Sequence, residues 1–222
     1  MEMSVWRDSY AQRGGFLKSL ILANVAVTGL WLNAQMRSGK SSRPLEFMED
    51  NFTVSSRGMF KERRYYTLVT SFFSHKSVSH LVNNMYTLWA LGPAVIHTIG
   101  TTNFALLYMG GGVISSLAQL YWPYIIPQSW PAYIKYNNGN SLGASGATSS
   151  LAMWVSFRWP THIFRLYGVI ELPGAVVGAL TVAMDMTGLY DGGSNIGHMA
   201  HLAGAAFGAL FFLSSRIMGS RR

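Results

Sequence analysis

Apolar residues gather into six stretches, at about residues 17–34, 79–98, 103–121, 143–157, 163–185 and 195–214, with polar segments between them. Most approach the ~20 residues that a helix needs to cross a hydrocarbon core. The pattern therefore predicts an all-α membrane protein, a bundle of six transmembrane helices. No signal-peptide cleavage pattern follows the first stretch. The loop 35–79 is long, polar and of mixed charge. The loop Trp122–Leu142 carries Pro123, Pro127 and Pro131, then Asn137-Asn138-Gly139-Asn140, and should be irregular. No repeat and no second-domain boundary is visible. The expected organisation is a polar N-terminal segment over 1–16, one core over 17–214 and a basic tail over 215–222.

The fourth stretch is short. From Gly143 to Trp159 it holds about 17 residues, closed by Arg158 and Pro160. At 1.5 Å per residue that covers roughly 25 Å, against ~30 Å for the core. Such a helix is expected to start below the membrane surface. Its first backbone N–H groups would then need protein or water around them.

Composition supports a membrane setting. Only 12% of the 222 residues are charged, against about 25% in soluble domains. The 23 glycines suit closely packed membrane helices. The formal charge of +8 does not form one stripe. Basic residues sit in the N-terminal segment, in the Arg37–Lys76 region and in the last seven residues, flanking the apolar stretches. That scatter argues against nucleic acid as a partner. The chain has no cysteine, so disulfides, cysteine nucleophiles and thiolate metal sites are excluded. Short loops alone favour both termini on the inner side, if the long loop is discounted.

Three motifs on three different stretches carry possible chemistry: His80-x-x-x-Asn84, Gly143-Ala144-Ser145-Gly146 and His198-x-x-His201-x-x-Gly204. With six spans, the second, fourth and sixth run in the same direction. All three motifs then lie in the same half of the membrane, whichever way the protein faces. A serine becomes nucleophilic only when a base takes its proton. His75, His80, His198 and His201 lie on the correct side. Gly204 and Gly208 follow His201 at i+3 and i+7 on one helix face, and Gly143 and Gly146 flank Ser145. Small residues on both helices permit close backbone approach, which favours His201 over His198 as the base. His80 and Asn84, at i and i+4, share a helix face. With the Ser145 backbone N–H and Gly143 ahead of it, they form the expected oxyanion and substrate-binding group. Asp185 and Glu171 lie in the fifth stretch. Asp185 should be near the same membrane face, but nothing in the sequence ties it to His201, so the expectation is a Ser145–His201 dyad. Glu171, close before Pro173, is read as structural, in a disrupted and partly wet helix segment.

These residues resemble the rhomboid family of intramembrane serine proteases. The matching positions are His80-x-x-x-Asn84, Gly143-x-Ser145-Gly146 and Ala200-His201-x-x-Gly204-x-x-x-Gly208, in family order, with His75 five residues before His80. Arg64 falls where the family often has Trp-Arg, with Arg63 in place of the tryptophan. Ser149 stands where many active members carry an aromatic. The resemblance runs from about Arg63 to Gly208. It implies a six-helix core, cleavage of single-pass transmembrane substrates in the lipid bilayer, and no metal or other cofactor. It implies Ser145 as nucleophile, His201 as general base, and His80, Asn84 and the Ser145 amide at the oxyanion hole. The fifth span and the loop after it would gate substrate entry. The segments Thr70–His75, Asn84–Trp89 and Ser141–Ala147 look most like the mitochondrial, presenilin-associated branch, which implies the mitochondrial inner membrane. That branch usually has one more span before the core.

Three other readings compete. A catalytically silent relative would bind and escort membrane proteins, but such relatives usually lack the serine. A metal-dependent enzyme could use His80, His198 and His201, yet the sequence has no His-Glu-x-x-His, and the serine motif would go unexplained. A small transporter would be expected to show an inverted repeat, and none is present.

Overall fold

The computed structural model describes residues 2–129, 140–166, 169–191 and 197–219, with the backbone alone for residues 2–13, 166, 216, 218 and 219. Pro131, Lys135 and Asn137-Asn138-Gly139 of the expected irregular loop, and Arg221 and Arg222 of the tail, lie outside the described residues. The chain is mostly helical: α1 (Glu2–Arg37), α2 (Arg43–Phe52), α3 (Thr67–Thr70), α4 (Val78–Tyr121), α5 (Ser145–Arg158), α6 (Gly174–Asp191) and α7 (His198–Gly219), with strands β1 (Ile163–Leu166) and β2 (Ile170–Pro173) between α5 and α6. Among the described residues, three helical segments are long and apolar enough to cross a membrane: Gly14–Arg37, Val78–Tyr124 and His198–Ser215. Large apolar side chains face outward, among them Leu22 of α1, Trp89 and Leu106 of α4, Met184 of α6 and Leu210 of α7. In water this would be costly; against lipid it is the ordinary arrangement.

The second and third apolar stretches are joined in α4 without a loop. Gly100 interrupts the helix with φ 78° and ψ 163°. A residue with a Cβ rarely adopts such a φ, so one glycine takes the place of a connection. Ser77 caps α4 from an extended conformation, its Oγ accepting from the His80 N–H at 3.3 Å. The cap places His80 in the first turn and Asn84 one turn later.

The fifth stretch departs from expectation. Residues 163–173 form an antiparallel hairpin, so the molecule is not all-α. Ile163 pairs with Pro173, Phe164 with Leu172, Arg165 with Glu171 and Leu166 with Ile170. A helix running from 163 to 185 would carry Pro173 in its interior, losing a hydrogen bond and clashing with the preceding turn. The helix instead starts at Gly174. The Gly174 N–H donates to the His162 carbonyl and the Ala175 N–H to the Pro160 carbonyl, both at 2.9 Å. Glu171 is exposed and accepts from Arg165 Nε at 2.9 Å. It sits in a strand pair rather than in the broken helix expected for it.

The core is centred on α5, which packs against α4 on one side and α7 on the other. Ala147, Leu151 and Trp154 of α5 are buried with Leu88, Val95, Phe104, Leu107 and Tyr108 of α4. The α5–α7 contact is made by backbone. A Cβ on Gly204 would overlap the Gly146 carbonyl oxygen, and one on Gly208 would overlap the Ser150 carbonyl oxygen. The glycines read from the sequence as a close-approach face are therefore in contact with the serine helix. The long polar loop is organised by Arg64, mostly buried, whose guanidinium pairs with Asp50 at 2.9 Å and with Glu62. Its backbone N–H donates to the Gly58 carbonyl at 2.9 Å.

Candidate active site

A cavity of about 1140 Å³ opens among α4, α5 and α7. Ser145, His201, His80, Asn84 and Gly143, the five residues expected at the site, all line it, together with Ser115, Gln119, Thr148 and Ser149. Ser145 is the first residue of α5. The first N–H groups of a helix have no intrahelical partners and carry the positive end of its dipole. Here they sit at the edge of a cavity with many polar side chains in its wall.

The approach to Ser145 is held from the long polar loop and from the start of α4. The Gly143 N–H donates to the Ser71 carbonyl at 2.9 Å. The Ala144 N–H donates to His75 Nε2 at 3.4 Å. Burial, reinforced by the neighbouring His80, pushes the His75 imidazole down to about 3, so at neutral pH it is an uncharged acceptor. Gly143 has φ 118°, and a Cβ there would stand 2.6 Å from His80 Cε1 and 2.9 Å from His80 Nε2. Both the backbone conformation and the close His80 ring require glycine at this position. Asn84, buried on α4, donates from Nδ2 to the His80 carbonyl at 3.0 Å and accepts from Thr148 Oγ1 at 3.1 Å. Thr148 Oγ1 also lies 3.0 Å from the Ser145 carbonyl. Thr148 thus connects α5 to the amide of Asn84, a role with no signal in the sequence beyond its place one turn after Ser145.

The two histidines of α7 differ in burial. His201 faces the cavity, while His198 is buried and turned towards α6. Their Nδ1 atoms meet at one carboxylate oxygen. Asp185 Oδ1 lies 2.9 Å from His201 Nδ1 and 2.8 Å from His198 Nδ1. The expectation that no carboxylate is tied to His201 is therefore overturned: α6 turns Asp185 inwards onto α7. Residues 185 and 201 lie on different helices, and only their shared membrane face hinted at the contact. Asp185, His198 and His201 each offer a ligand atom within 4.8 Å of the others, a set that differs from the His80, His198 and His201 considered as a metal site. Hydrogen bonding accounts for their arrangement.

The rhomboid-domain family profile matches residues 62–216, more than half of the chain. The chain belongs to the rhomboid family. It is 34% identical to zebrafish (Danio rerio) presenilin-associated rhomboid-like protein A, mitochondrial, covering 95% of this chain and 56% of that protein. It is 30% identical to Arabidopsis thaliana RHOMBOID-like protein 12, mitochondrial, covering 92% of this chain and 59% of the relative. It is 29% identical to Saccharomyces cerevisiae Rhomboid protein 1, mitochondrial, over 87% of this chain and 51% of the relative. The rhomboid chain thus spans a little over half the length of these curated relatives. They bear out the resemblance to the mitochondrial branch.

Proposed function

We propose that this rhomboid is an intramembrane serine endopeptidase that cleaves single-pass transmembrane proteins. The observation that carries the reading is the shared cavity: a serine at a helix N-terminus and a histidine on the helix in backbone contact with it both line one polar hollow among apolar helices. Ser145 Oγ attacks the scissile carbonyl while His201 takes its proton. His201 then returns the proton to the leaving amine, and water entering by the cavity hydrolyses the acyl-enzyme. The oxyanion is met by the Ser145 N–H, by His80 and by the Asn84 amide. Each such donor contributes about 3 kcal/mol to the transition state. Gly143 supports this hole by admitting the His80 ring beside the backbone of the serine loop.

The proposed core over 17–214 is a six-span bundle. Its spans are α1, the two arms of α4 on either side of Gly100, α5, α6 and α7. The mitochondrial names of the relatives support a mitochondrial location, and the reading places the chain in the inner membrane. The mechanism needs no metal, no other cofactor and no nucleic acid.

Ser145→Ala and His201→Ala are each expected to abolish cleavage of a single-pass transmembrane reporter in proteoliposomes, with expression intact. A fluorophosphonate probe should label the unaltered protein and spare Ser145→Ala. EDTA should leave the rate unchanged. Continued cleavage by Ser145→Ala would sink the assignment. Absence of labelling in the unaltered protein would favour a silent, escorting relative.

A further inference from the structure

His201 has two ring nitrogens, and only one can face the serine. Its Nδ1 is engaged at 2.9 Å by Asp185 Oδ1. A carboxylate only accepts, so Nδ1 carries the proton and Nε2 is left with its lone pair. This is the tautomer that a base acting through Nε2 requires.

The carboxylate is itself held. Asp185 is 6% exposed, and the same Oδ1 receives His198 Nδ1 at 2.8 Å. His198 and His201 are i and i+3 on α7, so both rings reach the same side of the helix. On α6, Gly188 follows Asp185 at i+3 and makes room for the incoming ring: a Cβ there would stand 2.8 Å from His198 Cδ2 and closer still to other ring atoms. One helix thus supplies both the carboxylate and the slot for the histidine that steadies it.

We infer that Asp185 is a positioning residue that acts through His201, orienting its ring and fixing its tautomer, and that His198 holds Asp185 in place. The inference rests on the proposal that His201 is the base for Ser145. It converts the expected dyad into a four-residue chain running Ser145, His201, Asp185, His198, in which the last two never touch substrate.

The test combines kinetics with ¹⁵N spectroscopy of histidine-labelled protein in detergent micelles, using a fluorogenic single-pass transmembrane peptide as substrate. In the unaltered protein the His201 ring is expected as the Nδ1–H tautomer. Asp185→Asn should lower kcat by about 100-fold or more while KM stays within about threefold, because the amide can offer the ring an N–H and promote the wrong tautomer. The ring spectrum should then show mixed tautomers. Asp185→Glu should recover part of the rate, and His198→Gln should fall between the unaltered protein and Asp185→Asn. An Asp185→Asn enzyme at full rate, or a His201 ring found as the Nε2–H form in the unaltered protein, would overturn the inference. The second measurement needs no variant, so it decides even if Asp185→Asn fails to fold. The serine assignment fails separately, through an active Ser145→Ala; the His201 tautomer still decides whether Asp185 orients the ring.

Discussion

His75 shows how one buried side chain ties the site to pH. It is fully buried, its Nε2 accepts the Ala144 N–H, and its imidazole is pushed down to about 3 by burial and then by His80. In the unfolded chain the same ring takes up a proton near its ordinary value of 6.5. Below that pH the unfolded state binds a proton that the folded state refuses, so stability falls as pH drops from about 6.5 towards 3. Above about 6.5 neither state is protonated and this dependence disappears. Thermal denaturation in detergent across that range should show the acid loss, and His75→Gln, which keeps an acceptor without the charge change, should flatten it. An unchanged slope in His75→Gln would place the acid sensitivity elsewhere. The motif residues of the site were legible in the sequence because they cluster within a few positions of one another. Asp185 was not, because its partner lies on another helix and only the rotation of α6 decides which way its side chain points.

At the level of elements, the segments built on strong periodic signals appear where expected and the exceptions have local causes. The spacing of glycines after His201 identified the α7 face that meets α5. The stretch at 163–185 reads as one apolar run, and its split into hairpin and helix turns on Pro173 and on the cross-strand pair Arg165–Glu171. The loop expected between the second and third stretches is reduced to the single positive φ of Gly100. The α5–α7 contact makes a direct prediction. Gly204→Val would drive a side chain into the Gly146 carbonyl, forcing the helices apart at a cost of about 1–3 kcal/mol. Fluorophosphonate labelling should drop by about tenfold or more, since small misplacements at a reacting centre are costly. Ala206→Val, on the exposed side of the same helix, should leave both labelling and melting temperature unchanged. Equal loss in the two variants would mean that α7 tolerates no added bulk anywhere, and the backbone contact would not be the cause.

Across the whole molecule, many large apolar side chains face outward, and polar ones line a hollow that no single helix could form. α5 has only 14 residues, about 21 Å of helix, and its buried residues include Thr148, Ser150 and Ser156. Such a segment is a poor membrane resident by itself. It is shielded by α4 and by α7, and α7 is synthesised after it. Biogenesis must therefore be late and cooperative: until α7 docks, the serine helix has no finished place in the bilayer. The absence of cysteine from the sequence makes this easy to follow with a lone Ser150→Cys reporter. In chains ended after Asp191 the thiol should react with an aqueous maleimide, and in the full chain it should be protected. Equal protection in both would mean that α5 settles without its partner. If it does not, the proposed site stays incomplete until α7 has been made and has docked.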